Sequence, residues 1–191
     1  MKTISQILSL LLISALSLTA ADKVSVSTVT DDHGNEALIS QAGTSSLQFT
    51  DFSKSESSRD NSALIEQAGN RNISEIIIDG SENRIESRQT GNDNHININI
   101  AGSNNKTVEI NGIHLESAVL VQQDGDNNTA DITIDSGDEN AAAIYQFGDK
   151  SIATILQENG DGNRAWIEQG DRDHATIMQS GNQNTAMIFQ K

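Results

Sequence analysis

The sequence predicts an all-β chain folded as a parallel two-sheet β-solenoid, built from strand-turn-strand laps of about 22 residues. Three observations predict it. Glycine recurs about every 11 residues, at Gly69, Gly80, Gly91, Gly102, Gly112, Gly125, Gly137, Gly148, Gly160, Gly170 and Gly181. Three residues past most of these stands an asparagine, among them Asn72, Asn83, Asn94, Asn105, Asn128, Asn140, Asn163 and Asn184, with Ser151 and Asp173 filling that place otherwise. Counting on from the asparagine gives alternate Ala, Ile and Gln, as in Asn61-Ala63-Ile65-Gln67 and Asn163-Ala165-Ile167-Gln169.

A spacing of two is a strand spacing, because side chains alternate between the faces of a strand. Each unit is therefore about seven strand residues and a turn of roughly four, rich in residues that tolerate positive φ. Matching is better over two units than one: Gln67 and Gln89 are 22 apart, and Gln123, Gln146 and Gln169 are each 23 apart. Two units thus make a lap, and laps stack at about 4.7–4.9 Å into two facing sheets. From Asn61 onward the pattern predicts about six laps, roughly 29 Å tall at that spacing.

The core between the sheets is expected to be thin, with Ile144, Ile167, Ile177 and Ile188 in its middle. Gln67, Gln146, Gln169, Gln179 and Gln190, with Asn140, Asn163 and Asn184, are expected to form amide ladders like those of cross-β fibrils. An amide is costly to bury alone, but a copy of itself above and below satisfies it. For the asparagines, plain turn formation is the competing explanation. On the other face, outward positions turn apolar toward the end of the chain. Arg84, Glu86, Arg88, His95, Asn97 and Asn99 come early, whereas Tyr145, Leu156, Trp166, Met178, Met187 and Phe189 come late. Trp166, Met178, Met187 and Phe189 form the candidate partner face, with mutual packing across an exposed sheet as the alternative.

Composition narrows the function. Residues 1–21 read as a secretory signal peptide: Lys2, an apolar run from Ile7 to Leu18, and Thr19-Ala20-Ala21 as a cleavage site. Residues 22–60 form an amino-terminal segment with a degenerate first repeat, and 61–191 the regular solenoid. With no Cys in an oxidising compartment, stability must come from backbone pairing and stacking. A net charge of −15 disfavours nucleic acid and anionic lipid as partners. Turn residues such as Asp124, Asp126, Asp135, Asp138, Asp161, Asp171 and Asp173 read as gatekeepers against premature association.

No catalytic constellation is written in the chain, and no cofactor or metal is expected. His33, His95, His114 and His174 lack ligand spacing. DGDNN at 124–128 and NGDGN at 159–163 have the flavour of calcium turns, but those repeats run to nine residues with a fixed Asp, not 11 with a fixed Asn.

SALIEQAGNRN at 62–72 and WIEQGDRDHATIMQSGNQNTAMIFQ at 166–190 carry residue type, phase and period together. In them the sequence resembles the curlin family, the secreted subunits of bacterial curli amyloid fibres. The resemblance runs from about Asn35 to Gln190. It departs at the Ser-rich stretch 44–60 and in the missing Gln after Asn72, Asn94 and Asn128. It implies an amyloid-like solenoid secreted unfolded through a curli secretion channel with accessory factors. It also implies partners that are other curlin subunits, in extracellular fibres of the cell surface and biofilm matrix. The irregular repeats and the Lys191 ending are more similar to the minor, nucleating subunit than to the major one. The competing reading is a monomeric secreted solenoid that binds a glycan, a surface or calcium.

Overall fold

A computed structural model describes residues 24–30, 34–43, 47–52, 59–105, 108–110, 113–115 and 118–191. The expected signal peptide, 1–21, lies outside the described residues. Among the described residues every regular element is a strand: β1 (Val24–Thr30), β2 (Glu36–Ala42), β3 (Leu47–Phe52), β4 (Ser62–Ala68), β5 (Ile73–Asp79), β6 (Arg84–Thr90), β7 (His95–Ala101), β8 (Val108–Ile110), β9 (Ile113–Leu115), β10 (Val119–Asp124), β11 (Thr129–Asp135), β12 (Ala141–Phe147), β13 (Ile152–Glu158), β14 (Arg164–Gln169), β15 (His174–Ser180) and β16 (Thr185–Phe189).

From β2 onward, with β8 and β9 set aside, successive strands alternate between two sheets. Sheet A runs β1-β2-β4-β6-β10-β12-β14-β16 and sheet B runs β3-β5-β7-β11-β13-β15. Pairing within each is parallel and in register, so Ala63, Ile65 and Gln67 lie beside Ile85, Ser87 and Gln89. Two pairings depart from this: β1 lies antiparallel on β2, and β8 and β9 form a small antiparallel hairpin. Residues 22–60 contribute β1, β2 and β3, and the first lap of the stack is β2 with β3.

Strand burial follows the predicted period of two: β6 and β15 each alternate exposed and buried along their length. Ile65, Ile76, Ile98, Ile132, Ile144, Ile155 and Ile167 are fully buried, and they form one continuous core with Val121 and Ile177. Isoleucine thus fills the middle of most laps in both sheets, with Ser87 and Val121 in that place in two laps of sheet A, and the two ranks meet across a thin interior. Each such Ile, cut to Ala, removes about 2–5 kcal/mol.

Glycines in the turns do more than supply positive φ. Gly91, at φ 118°, approaches the turn of the next lap so closely that a Cβ on it would lie 2.0 Å from the carbonyl oxygen of Gly125. Stacked laps therefore exclude any side chain there. Just ahead of the column asparagines, Arg71, Glu82, Asp93, Asn104 and Asn127 take the left-handed conformation that finishes the turn.

The lap count differs from expectation in one place. From Asn61 onward there are five laps and a half among the described residues, because β8 and β9 pair with each other and join neither sheet. Asn105 connects directly to Asn140, 35 residues on, where the other steps of that column span 21 to 26. With the β2-β3 lap included, the stack is six laps and a half.

Candidate functional site

The inward Gln positions of sheet A form a continuous amide column. Gln67 Nε2 donates to Gln89 Oε1 at 2.6 Å, Gln89 to Gln123 at 3.0 Å, Gln123 to Gln146 at 2.8 Å, Gln146 to Gln169 at 3.1 Å, and Gln169 to Gln190 at 3.0 Å. The second hydrogen of these amides crosses to a backbone carbonyl at the start of a sheet B strand, as in Gln89 to Ile73, Gln146 to Thr129 and Gln169 to Ile152. Both hydrogens and the oxygen are used, so a polar side chain survives in the interior.

Asparagines form a second set of columns at the turns. In the one leading into sheet A, the backbone N–H of Asn83, Asn140, Asn163 and Asn184 donates to Oδ1 of the Asn one lap earlier. The Nδ2 of Asn83 and Asn140 reaches forward to the carbonyls of Gly102 and Gly160. Turn formation and laddering, the two readings of these residues, are thus one set of bonds. Gln179 belongs to a separate, short column in sheet B, accepting from Gln157 and donating to the Arg164 carbonyl. There the earlier laps carry Ile78, Ile100 and Ile134, and Gln157 Oε1 is buried with no partner.

Among the described residues, the stack ends in edges with no paired strand. Sheet A stops at β16 and sheet B at β15, which leaves the last lap half finished; at the other end β3 closes sheet B and β1 closes sheet A. An edge of parallel strands offers a row of N–H and C=O groups at the spacing of another strand. Gln190 donates to the His174 carbonyl and occupies the last place of its column. The chemistry available here is strand pairing, and it asks for a strand of the same register.

The candidate partner face divides between the sheets. Trp166, Met187 and Phe189 lie outward on sheet A, Met178 outward on sheet B. Met178 and Phe189 are exposed, 70% and 53%. Trp166 is only 5% exposed and joins a cluster with Ala141, Ala143, Leu120, Tyr145 and Met187. Its ring stacks on Tyr145 at 4.8 Å, and Tyr145 stacks on Phe147 at 6.0 Å. Burial pushes the Tyr145 phenol above its ordinary range. β8 packs against β14, so the hairpin that leaves the stack lies over the outer face of sheet A. Of the core isoleucines named from sequence, Ile144 and Ile167 are fully buried, Ile177 nearly so, and Ile188 partly buried on the terminal strand.

Two features were not singled out from sequence. The close glycine stacking needs three-dimensional register to be seen. The carboxylate columns do too: Asp126, Asp149 and Asp171 accept backbone N–H groups in succession, as do Asp138 and Asp161. Their signal in the sequence is Asp or Asn directly after the repeat glycine. Earlier in the stack the exposed turn pair Arg71 and Asp93 makes a charge-assisted bond that holds the carboxyl below its usual range. Being open to solvent, it adds little stability.

In comparisons with known proteins, the curlin-associated repeat model matches residues 137–169, the strands β12 to β14 with their turns. This match supports the curlin family for the chain. Neither a curated protein nor a solved structure gives a significant match.

Proposed function

We propose that this chain, whose residues 137–169 match the curlin-associated repeat, is a secreted structural subunit of extracellular curli-type fibres. It acts by strand pairing at the edges of its stack and serves adhesion and the biofilm matrix. The observation that carries the reading is the uncovered edge of β15 and β16, where in-register parallel strands and their amide columns stop at a half-finished lap. Secretion through a curli channel, with accessory factors, goes with this reading. Within it, the chain is the nucleating subunit: the β8-β9 hairpin outside both sheets and the degenerate stretch before Asn61 make it less regular than a fibre builder needs to be.

The test is to add substoichiometric amounts of the purified chain to a regular curlin and follow thioflavin fluorescence. Abolition of the lag is expected of a nucleator. A lag of its own, with no effect on the other protein, assigns it as a builder. A second reading, a monomeric solenoid that binds a glycan or surface, draws on the Tyr145, Phe147 and Trp166 stack on the outer face of sheet A. A chain still monomeric after days at high concentration would favour it.

A further inference from the structure

We propose that β1 has two places. In the free chain it covers the edge of β2; in the fibre it crosses to sheet B and completes the half-finished last lap of the preceding copy. This rests on the assembly reading above and adds to it which strand moves and what it meets.

In chain order the strands of the stack alternate strictly between sheets, from β2 in sheet A to β16 in sheet A. The half-lap before β2 therefore belongs to sheet B, yet β1 sits in sheet A, antiparallel. As it stands, sheet A has eight strands and sheet B six. Moved across, β1 leaves seven in each. Two copies stacked end to end with β1 in its hairpin would leave two vacant levels in sheet B, between β15 and the β3 of the next copy. With β1 in sheet B they leave none.

The connection has the length and the ending of a crossing turn. Five residues, 31–35, separate β1 from β2, and five separate β11 from β12 and β13 from β14, both of which cross from sheet B to sheet A. The segment ends in Gly34-Asn35, with Gly34 at φ 80°, as the turn before β14 ends in Gly162-Asn163, with Gly162 at φ 68°. Asn35 is buried and stands first in the asparagine column, its Oδ1 accepting from both the backbone N–H and the Nδ2 of Asn61. Gly34 and Asn35 are thus set for the solenoid while β1 is folded back.

The exchange increases pairing. In the hairpin β1 pairs along one edge, with β2. In sheet B it pairs along both, with the β3 of its own chain and the β15 of the preceding copy, and the uncovered edge of β2 becomes free for the preceding β16. A folded-back strand of this kind blocks an aggregation-prone edge until a partner offers more.

The chain has no cysteine, so disulfides can be placed cleanly. Val26 and Ser40 are register partners in the hairpin. In the double variant Val26→Cys, Ser40→Cys, oxidation should slow fibre growth at least tenfold, and reduction should restore it. Thr28→Cys with Leu38→Cys, another register pair, guards against a local defect in the first. In Val26→Cys, Thr176→Cys, oxidation should link chains within fibres and leave unassembled chains unlinked. For the unaltered chain the axial repeat per copy should be seven strand spacings, roughly 33 Å, and not eight, roughly 38 Å. Equal growth of the oxidised and reduced hairpin variants, or the longer repeat, overturns the proposal and leaves the assembly reading standing. An unaltered chain that never gives cross-β fibres overturns both.

Discussion

The two sheets solve the same packing problem differently at one position. In sheet A the third inward residue is Gln in every lap from Gln67 to Gln190, each donating to the next. In sheet B it is Ile78, Ile100 and Ile134, then Gln157 and Gln179. The cost of the change is visible at the join, where Gln157 Oε1 is buried below an isoleucine and has no donor. A buried amide is favourable only inside an unbroken column; a column of isoleucine needs no such continuity. Sheet A is therefore the sheet whose register is policed by hydrogen bonds, and sheet B the one held by apolar packing over its first laps.

What the sheets share should break first. Gly91→Ala forces a side chain into the carbonyl of Gly125 at a positive φ, and is expected to cost more than about 3 kcal/mol in urea unfolding of the soluble chain, with both sheets lost together. Next is the long column. Gln146→Leu removes the acceptor of Gln123 and the donor of Gln169, and two buried groups without partners should cost about 2–5 kcal/mol. The short column should be far more forgiving: replacing both Gln157 and Gln179 by Ile continues the rank above them and removes the orphan oxygen, and is expected to stay within about 1 kcal/mol of the parent. Equal losses from the long and short columns in the same measurement would erase the distinction between the sheets. Smallest in stability but visible in kinetics, Asp149→Asn keeps the acceptor for Asp126 and relieves repulsion in the Asp126-Asp149-Asp171 column. It should shorten the assembly lag, and the gain should shrink as salt rises and screens the charges.

Much of this was legible in the chain itself, because a period of two inside a period of 22 leaves one arrangement of strands and turns. The isoleucine ranks, the Gln column and the asparagine turns follow from phase alone. The missing half-lap did not, since Gly102 and Gly112 keep the repeat spacing on either side of β8, a strand that joins neither sheet. Glycine spacing cannot tell a stacked turn from a hairpin of similar length. The division of the outer residues was in principle readable: half-laps alternate between sheets, so Met178 had to lie opposite Trp166 and Met187. The burial of Trp166 was not, because it depends on neighbours brought in by β10, β12 and β16. Nor could phase show that β1 is folded back, since strand spacing fixes the half-lap it belongs to and not the edge it occupies.

We propose that the edges of these laps recruit further copies of the same strand, and oriented fibre diffraction of the purified, assembled chain tests this most directly. A meridional reflection at about 4.7–4.8 Å, with strands perpendicular to the fibre axis, is the predicted result. A chain that stays monomeric, or fibres without that meridional spacing, would contradict it.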